Sequence, residues 1–152
     1  MKNEKRKMKN GKRLMQRRGM ALLFISLFSL FTSCSTDSCD TPFGSGGVID
    51  IYQPEFVSLT NVGGTVTVNR GYKGIFVRRV SFSQFVAFEC ACPHCHEVRL
   101  VPDPDWGGAV LQCPSCNSRF ETEYGNPLDG AATGCPLFEY RTQFDGTLLS
   151  IY

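Results

Sequence analysis

The stretch CACPHCH, from Cys90 to His96, and the stretch CPSCNSRF, from Cys113 to Phe120, concentrate soft metal ligands in two short segments. Within them the spacing is C-x2-C-x17-C-x2-C, formed by Cys92, Cys95, Cys113 and Cys116. Two hairpins of this kind place four thiolates at the corners of a tetrahedron, which suits Zn²⁺ or iron. The spacing therefore predicts a metal site, but tetrahedral thiolate ligation fits zinc and iron–sulfur centres alike.

Short β-type segments surround these two stretches. GTVTVNR alternates strictly, and GIFVRRVSF, QFVAFE, EVRLV, AVLQ, FEYRTQF and TLLSIY are rich in β-branched and aromatic residues. Turn signals such as NVGG, RGYKG, VPDPDWGG and EYGNP separate them. The sequence predicts a small all-β domain, a closed sheet sandwich, with the cysteines on loops at one end.

The amino-terminal segment has the composition of an export signal. Residues 1–18 hold nine Lys/Arg and one acid, and Met20 to Phe31 is an uncharged apolar run too short to span a membrane. The small residues before Cys34 resemble a bacterial lipoprotein signal, in which that cysteine becomes acylated. We therefore expect an export signal over 1–33, a lipid anchor at Cys34, a flexible Gly/Ser-rich tether over 34–55, and a membrane-anchored location in the periplasm or at the cell surface.

Charge and composition exclude several functions. Residues 35–152 carry seven Lys/Arg against thirteen Asp/Glu, a net charge of −6 with histidine neutral, so no basic stripe for nucleic acid is present. The two histidines, His94 and His96, both lie inside the cysteine cluster, and no G-x-G-x-x-G loop occurs. We predict no catalytic residues, and expect an electron carrier or binding module, an oxidoreductase component at most.

From Gly64 onward the chain resembles the Rieske family of iron–sulfur domains. VAFECACPH resembles the strand that enters the first cluster loop, CPSCNSRFE the second loop, GNPLDGAATGCPLFEY the proline loop, and FDGTLLSIY the closing hairpin. The resemblance covers residues 56–152. It implies a Rieske-like antiparallel β-sandwich or barrel with a small zinc-ribbon-like subdomain, at about residues 90–137, that binds the cluster.

The resemblance also implies ligands. Cys92 and His94 match the first Cys and His ligands of the family, Cys113 matches the second Cys, and Cys116 stands where the family has its second His. Cys95 is the alternative fourth ligand. Ser118 matches a serine that hydrogen-bonds a cluster sulfide. Because thiolate replaces imidazole, the expected cluster has a lower potential with little pH dependence.

The expected function is therefore one-electron transfer through a membrane-tethered [2Fe–2S] cluster, with a redox partner protein that docks weakly. The alternatives left open are a structural four-Cys Zn²⁺ module and a metal-free domain whose cysteines pair as disulfides, since exported cysteines commonly do so. Because Cys135 lies in the loop that, by resemblance, covers the cluster, a Cys90–Cys135 bridge is a further pairing that the sequence leaves open, and the roles of Cys39, Cys90 and Cys135 are left undecided.

Overall fold

The computed structural model describes residues 39–152 of this protein, and the regular secondary structure of these residues is almost entirely β-strand. One short 3-10 helix, Pro54–Thr60, accompanies ten strands, and every strand pairing is antiparallel. The strands are β1 (Gly47–Asp50), β2 (Thr65–Val68), β3 (Ile75–Arg79), β4 (Phe85–Glu89), β5 (Val101–Asp103), β6 (Gly107–Gln112), β7 (Arg119–Glu121), β8 (Glu139–Tyr140), β9 (Thr142–Phe144) and β10 (Leu148–Ile151). The all-β, antiparallel prediction is confirmed.

The strands form three sheets, with the orders β1-β10-β9, β2-β3-β4-β8 and β5-β6-β7. Side chains of the first two sheets share one apolar core, in which Ile49 and Leu149 from the first sheet are buried with Val77 and Ala87 from the second. The third sheet carries the cysteine loops and lies over a second apolar core.

Strands β3 and β4 serve both cores because successive side chains of a strand point to opposite faces. Ile75 and Val77 enter the first core, while Phe76 and Phe88 enter the second. A strand buried on both faces reads as a continuous apolar run, as IFV in β3 does. Through Phe76 and Phe88, these two strands pack against the buried cysteines of the loops, Cys92 and Cys113.

The first strand lies inside the segment that the sequence predicted to be a tether, so the predicted boundary at residue 56 is wrong. β1 pairs with β10, with Ile49 opposite Leu149, and both Ile49 and Ile51 are buried. Burial of these two side chains and a paired backbone make β1 part of the domain. The Gly/Ser-rich residues that precede β1 obscured this short strand.

The structure also decides the cysteine pairing that the sequence left open. Cys39 forms a disulfide with Cys135, whereas Cys90 is a buried free thiol. The Cys90–Cys135 bridge that the sequence left open does not form, because the Cys90 side chain packs into the second apolar core while Cys135 pairs with the segment before β1. Burial raises the pKa of the Cys90 thiol to about 12, which keeps it protonated and unreactive.

The predicted export signal and Cys34 lie outside the described residues. Within residues 39–152, no helix has the length and apolar character needed to cross a membrane.

Candidate metal centre

The two C-x2-C segments fold into equivalent loops, which we call the first knuckle (residues 92–96) and the second knuckle (residues 113–117). In each, the backbone N–H of the fifth residue donates to the carbonyl of the first: His96 to Cys92 at 2.7 Å, and Asn117 to Cys113 at 2.9 Å. His96 and Asn117 have left-handed φ angles of 53° and 59°, the conformation that turns the chain back after the second cysteine.

Neighbouring strands fix the position of both knuckles. The first knuckle follows the end of β4, and the second follows the end of β6. After each knuckle the chain comes back beside the first cysteine of that knuckle. Cys92 N–H donates to Val98 O at 3.0 Å, and Cys113 N–H donates to Ser118 O at 2.9 Å. The β5–β6 hairpin therefore starts from one knuckle and ends at the other, which brings the two loops together.

The four cysteine sulfurs of the two knuckles all lie within 4.8 Å of one another. Across the two loops, Cys92 Sγ is 3.8 Å from Cys116 Sγ, and Cys95 Sγ is 3.9 Å from Cys113 Sγ. A metal with sulfur ligands at 2.3 Å in a regular tetrahedron places the sulfurs about 3.8 Å apart. The chemistry and the spacing of the four donors thus fit one tetrahedral metal ion.

Of the residues that the sequence singled out, Cys92, Cys113 and Cys116 are brought together, and the fourth member of the group is the alternative, Cys95. The exposed His94 ring lies outside the group, with its Nδ1 at 3.5 Å from Cys95 Sγ. The geometry of the group therefore favours four sulfur ligands and leaves His94 beside one of them.

Burial divides the four thiols into two kinds. Cys92 and Cys113 are buried, whereas Cys95 and Cys116 are partly exposed. Burial raises the pKa of Cys92 to about 12 and also raises that of Cys95, because a thiolate in an apolar loop loses its hydration.

Cys116 is the exception among these thiols. Burial opposes its ionisation, but hydrogen bonds from the Ser118 hydroxyl and backbone outweigh burial and lower the pKa of Cys116 to about 6. Cys116 is therefore largely a thiolate at neutral pH. Ligation of a metal by Cys92 and Cys95 requires that protons be displaced.

The buried Ser118 connects the second knuckle to the loop of residues 126–137. Its Oγ lies 3.2 Å from Cys116 Sγ and accepts a hydrogen bond from Ala132 N–H at 2.8 Å. The protonated Cys116 thiol donates to the remaining lone pair of this hydroxyl, and once Cys116 is a thiolate the hydroxyl can donate its proton to the sulfur instead. The sequence expected Ser118 to contact a cluster sulfide, and the structure places it against a cysteine sulfur.

A buried carboxylate that the sequence analysis did not single out supports the first knuckle. Glu89, fully buried, accepts hydrogen bonds from the N–H groups of Tyr72 and Lys73, each at 2.8 Å, and from the Tyr140 hydroxyl at 2.6 Å. These bonds fix the turn after Gly71 against the end of β4, next to Cys90. The signal in the sequence was an acid in the middle of the apolar run FVAFECA.

The same turn contacts Glu97, the residue directly after the first knuckle. Lys73 Nζ forms an ion pair with Glu97 Oε2 at 2.7 Å, and the Tyr72 hydroxyl donates to the other oxygen of Glu97. Gly71 has a φ of +75°, and a Cβ there would lie 2.6 Å from Glu89 Oε2. A glycine is therefore needed at this position for the buried carboxylate to reach the turn.

No protein-family model matches this sequence, and no curated protein matches it. Among solved structures, a ferredoxin of carbazole 1,9a-dioxygenase from Nocardioides aromaticivorans IC177 is 20% identical, with a TM-score of 0.46 over 69% of this chain and 93% of that chain. A chain in a complex of reduced oxygenase and oxidized ferredoxin in carbazole 1,9a-dioxygenase is 26% identical, with a TM-score of 0.41 over 60% and 91%.

A ferredoxin of Sphingomonas yanoikuyae B1 is 15% identical, with a TM-score of 0.36 over 71% of this chain and 87% of that chain. All three TM-scores lie below 0.5. The assignment of the metal centre therefore rests on its own residues and their geometry.

Proposed function

We propose that this domain is a metal-binding module in which Cys92, Cys95, Cys113 and Cys116 hold one Zn²⁺ ion. The observation that carries the proposal is the mutual approach of the four sulfurs, all within 4.8 Å, with two pairs at 3.8 and 3.9 Å. Those two distances match the edges of a tetrahedron around one ion. Such an ion fastens the two knuckles to each other, and its binding free energy adds to the stability of the third sheet.

Metal analysis of single-residue variants tests the proposal. We expect one zinc per chain and no visible colour in protein purified under argon. Cys95→Ser should lose the metal, whereas His94→Ala should keep it, because the sulfur and not the imidazole belongs to the group of four. Cys90→Ala is the matched control, since it removes a buried thiol outside the group.

The opposite pattern would restore the three-cysteine, one-histidine site expected from the resemblance. Metal lost from His94→Ala and retained in Cys95→Ser would show that His94 is the fourth ligand. Zinc absent from every preparation, with all four cysteines recovered as disulfides in the argon-purified protein, would reject a metal centre altogether.

A second candidate is one-electron transfer through a [2Fe–2S] cluster. It is favoured by the hydrogen bond between Ser118 and Cys116, because hydrogen bonds to sulfur tune such clusters, and by the partial exposure of Cys95 and Cys116, which brings the centre close to the surface. A two-iron cluster places two ligands on each iron, so its four sulfurs need to separate into two pairs. Because all four cysteine sulfurs lie within 4.8 Å of one another and do not separate into two pairs, we place this candidate second.

The cluster has its own signature. Argon-purified protein would be red-brown and would contain two iron and two sulfide per chain. The thiolate ligands would give it a low potential that varies little with pH. A redox protein that docks weakly at the knuckles would be its partner.

We also propose that the protein is an exported lipoprotein, anchored to a membrane through an acyl group on Cys34. The support is the export-type sequence before Cys34 together with the Cys39–Cys135 disulfide, since disulfides persist mainly in oxidising compartments outside the cytosol. Globomycin, which blocks lipoprotein signal cleavage, should cause the precursor to accumulate. Cys34→Ser should remove both the acyl mass and the membrane association.

A further inference from the structure

The chain segment before β1 is fastened at one particular end of the domain. Cys39 is joined to Cys135 by the disulfide, and the Phe43 ring stacks on the Phe138 ring with centroids 4.1 Å apart and planes 5° from parallel. Both contacts lie within or next to the loop of residues 126–137. The covalent bond makes Cys39, and not the start of β1, the point where the segment from residue 34 meets the domain.

That loop belongs to the metal-centre end of the domain. Ala132 N–H donates to Ser118 Oγ, which in turn contacts Cys116 Sγ. Leu137, two residues after the disulfide, is buried in the same apolar core as Cys92 and Cys113. The attachment point therefore lies beside the metal centre.

The opposite end of the domain is defined by the β3–β4 hairpin. β4 runs from this hairpin toward Cys90 and the first knuckle, and its five residues, Phe85–Glu89, extend for about 17 Å. Phe82 lies at the hairpin tip and is 85% exposed. The tip is thus separated from the metal centre by at least the length of one strand.

We propose that the metal-centre end of the domain faces the membrane that holds Cys34, because the disulfide at Cys39 fastens the chain beside the second knuckle. This inference rests on the proposed lipid anchor. Cys39 lies five positions after Cys34, which allows at most about 18 Å of extended chain. Without the disulfide, the segment from Cys34 to the start of β1 at Gly47 would instead reach roughly 45 Å and would leave the domain without a preferred face.

Charge does not produce this orientation. Residues 35–152 carry a net charge of −6, so an anionic lipid surface repels the domain as a whole. The orientation is set by the short covalent tether and should be insensitive to ionic strength. A protein that exchanges electrons or metal with the centre would then have to reach it at the membrane surface.

Fluorescence quenching by lipids tests the orientation in the lipidated full-length protein. Trp106 is the only tryptophan in the sequence, so the variant Trp106→Phe has no tryptophan fluorescence. Any tryptophan added to this variant is then the only one observed. Two probes near the metal centre are added singly to the Trp106→Phe variant. They are Gly134→Trp, at an exposed site with open space around a Cβ, and Ser115→Trp on the second knuckle. Phe82→Trp at the hairpin tip is the matched distant probe. Each variant is bound to phosphatidylcholine vesicles that carry a nitroxide on the headgroup, after its metal content is checked.

We expect the Gly134→Trp and Ser115→Trp probes to be quenched at least about twofold more than Phe82→Trp, equally at low and high salt. Should Ser115→Trp lose its metal, Gly134→Trp still decides the result. Equal quenching of the near and distant probes, or stronger quenching of Phe82→Trp, on vesicle-bound protein overturns the orientation and leaves the anchor intact. Protein that does not float with the vesicles, or that leaves them at high salt, refutes the anchor and with it the orientation.

Discussion

At the scale of single residues, Cys92, Cys95 and Cys116 differ in how easily their thiols ionise, and this difference should control how metal binding depends on pH. The pKa of Cys92 is raised to about 12 by burial and that of Cys95 is raised as well, while Cys116 has a pKa of about 6. Near pH 7.5, binding therefore displaces protons from Cys92 and Cys95 but not from Cys116.

The zinc affinity should therefore rise steeply with pH. Two displaced protons predict an increase of at least about 100-fold per pH unit between pH 7 and 8. Below pH 6 Cys116 is protonated too, so the dependence should become steeper by a further factor of about ten per unit. Competition with a chromophoric chelator over pH 5.5–8 measures this. An affinity that is flat across the range would show that the buried thiols are already ionised.

Ser118 should influence the metal without contacting it. Ser118→Ala removes the hydroxyl at 3.2 Å from Cys116 Sγ, which stabilises the thiolate. Residues that orient a ligand in this way typically change metal affinity by about 10- to 100-fold, and we expect a loss in that range. The same chelator competition measures it, with the exposed Ser83→Ala as control. An unchanged affinity in Ser118→Ala would show that the hydroxyl does not act on the sulfur.

At the scale of elements, the knuckles depend on one residue each in the left-handed conformation. Asn117, at φ 59°, tolerates it, whereas a β-branched side chain does not. Asn117→Val should lower the stability of the zinc-bound protein by about 1–3 kcal/mol, and Asn117→Gly should leave it unchanged or slightly improved. Urea unfolding of the two variants checks this, and equal losses in both would point to the asparagine side chain rather than to its backbone.

β1 offers a test of where the domain begins. Ile49 is 3% exposed in the first core, while its neighbour Val48 points outward and is 49% exposed. Ile49→Ala should destabilise the domain by about 2–4 kcal/mol, and Val48→Ala should change its stability by less than about 0.5 kcal/mol. If urea unfolding finds both substitutions neutral, β1 is not part of the cooperative fold.

At the scale of the whole molecule, one covalent bond joins the segment before β1 to the loop beside the metal centre. The Cys39–Cys135 disulfide spans a sequence separation of 96 residues, and closing so long a loop removes much conformational entropy from the unfolded chain. Loss of the bond should therefore reduce the stability of the domain by about 4–5 kcal/mol.

The variants Cys39→Ser and Cys135→Ser, and the two combined, should each lose the same amount, because each breaks the same bond. Urea unfolding with zinc held in excess measures the effect and keeps the metal centre constant. A single variant with the stability of the unmodified protein would contradict the pairing.

The sequence alone determined the fold class and the cysteines of the proposed metal centre. Alternating β-branched and aromatic segments between Gly-rich turns predicted an all-β domain, because a strand with two different faces has a period of two residues. The repeated C-P-x-C-x pattern identified the two knuckles, because both the tight turn and the thiolate ligands are local properties. That pattern named Cys92, Cys95, Cys113 and Cys116, whereas the family resemblance favoured His94 over Cys95.

The tertiary structure decided what depends on distant parts of the chain. It selected Cys95 over His94 as the fourth member of the group, because the meeting of two knuckles fixes which side chains point at a common centre. It paired Cys39 with Cys135 and made β1 a strand through its pairing with β10, about 100 residues away. No local pattern encodes such contacts, because they form only when strands far apart in sequence pack around one core.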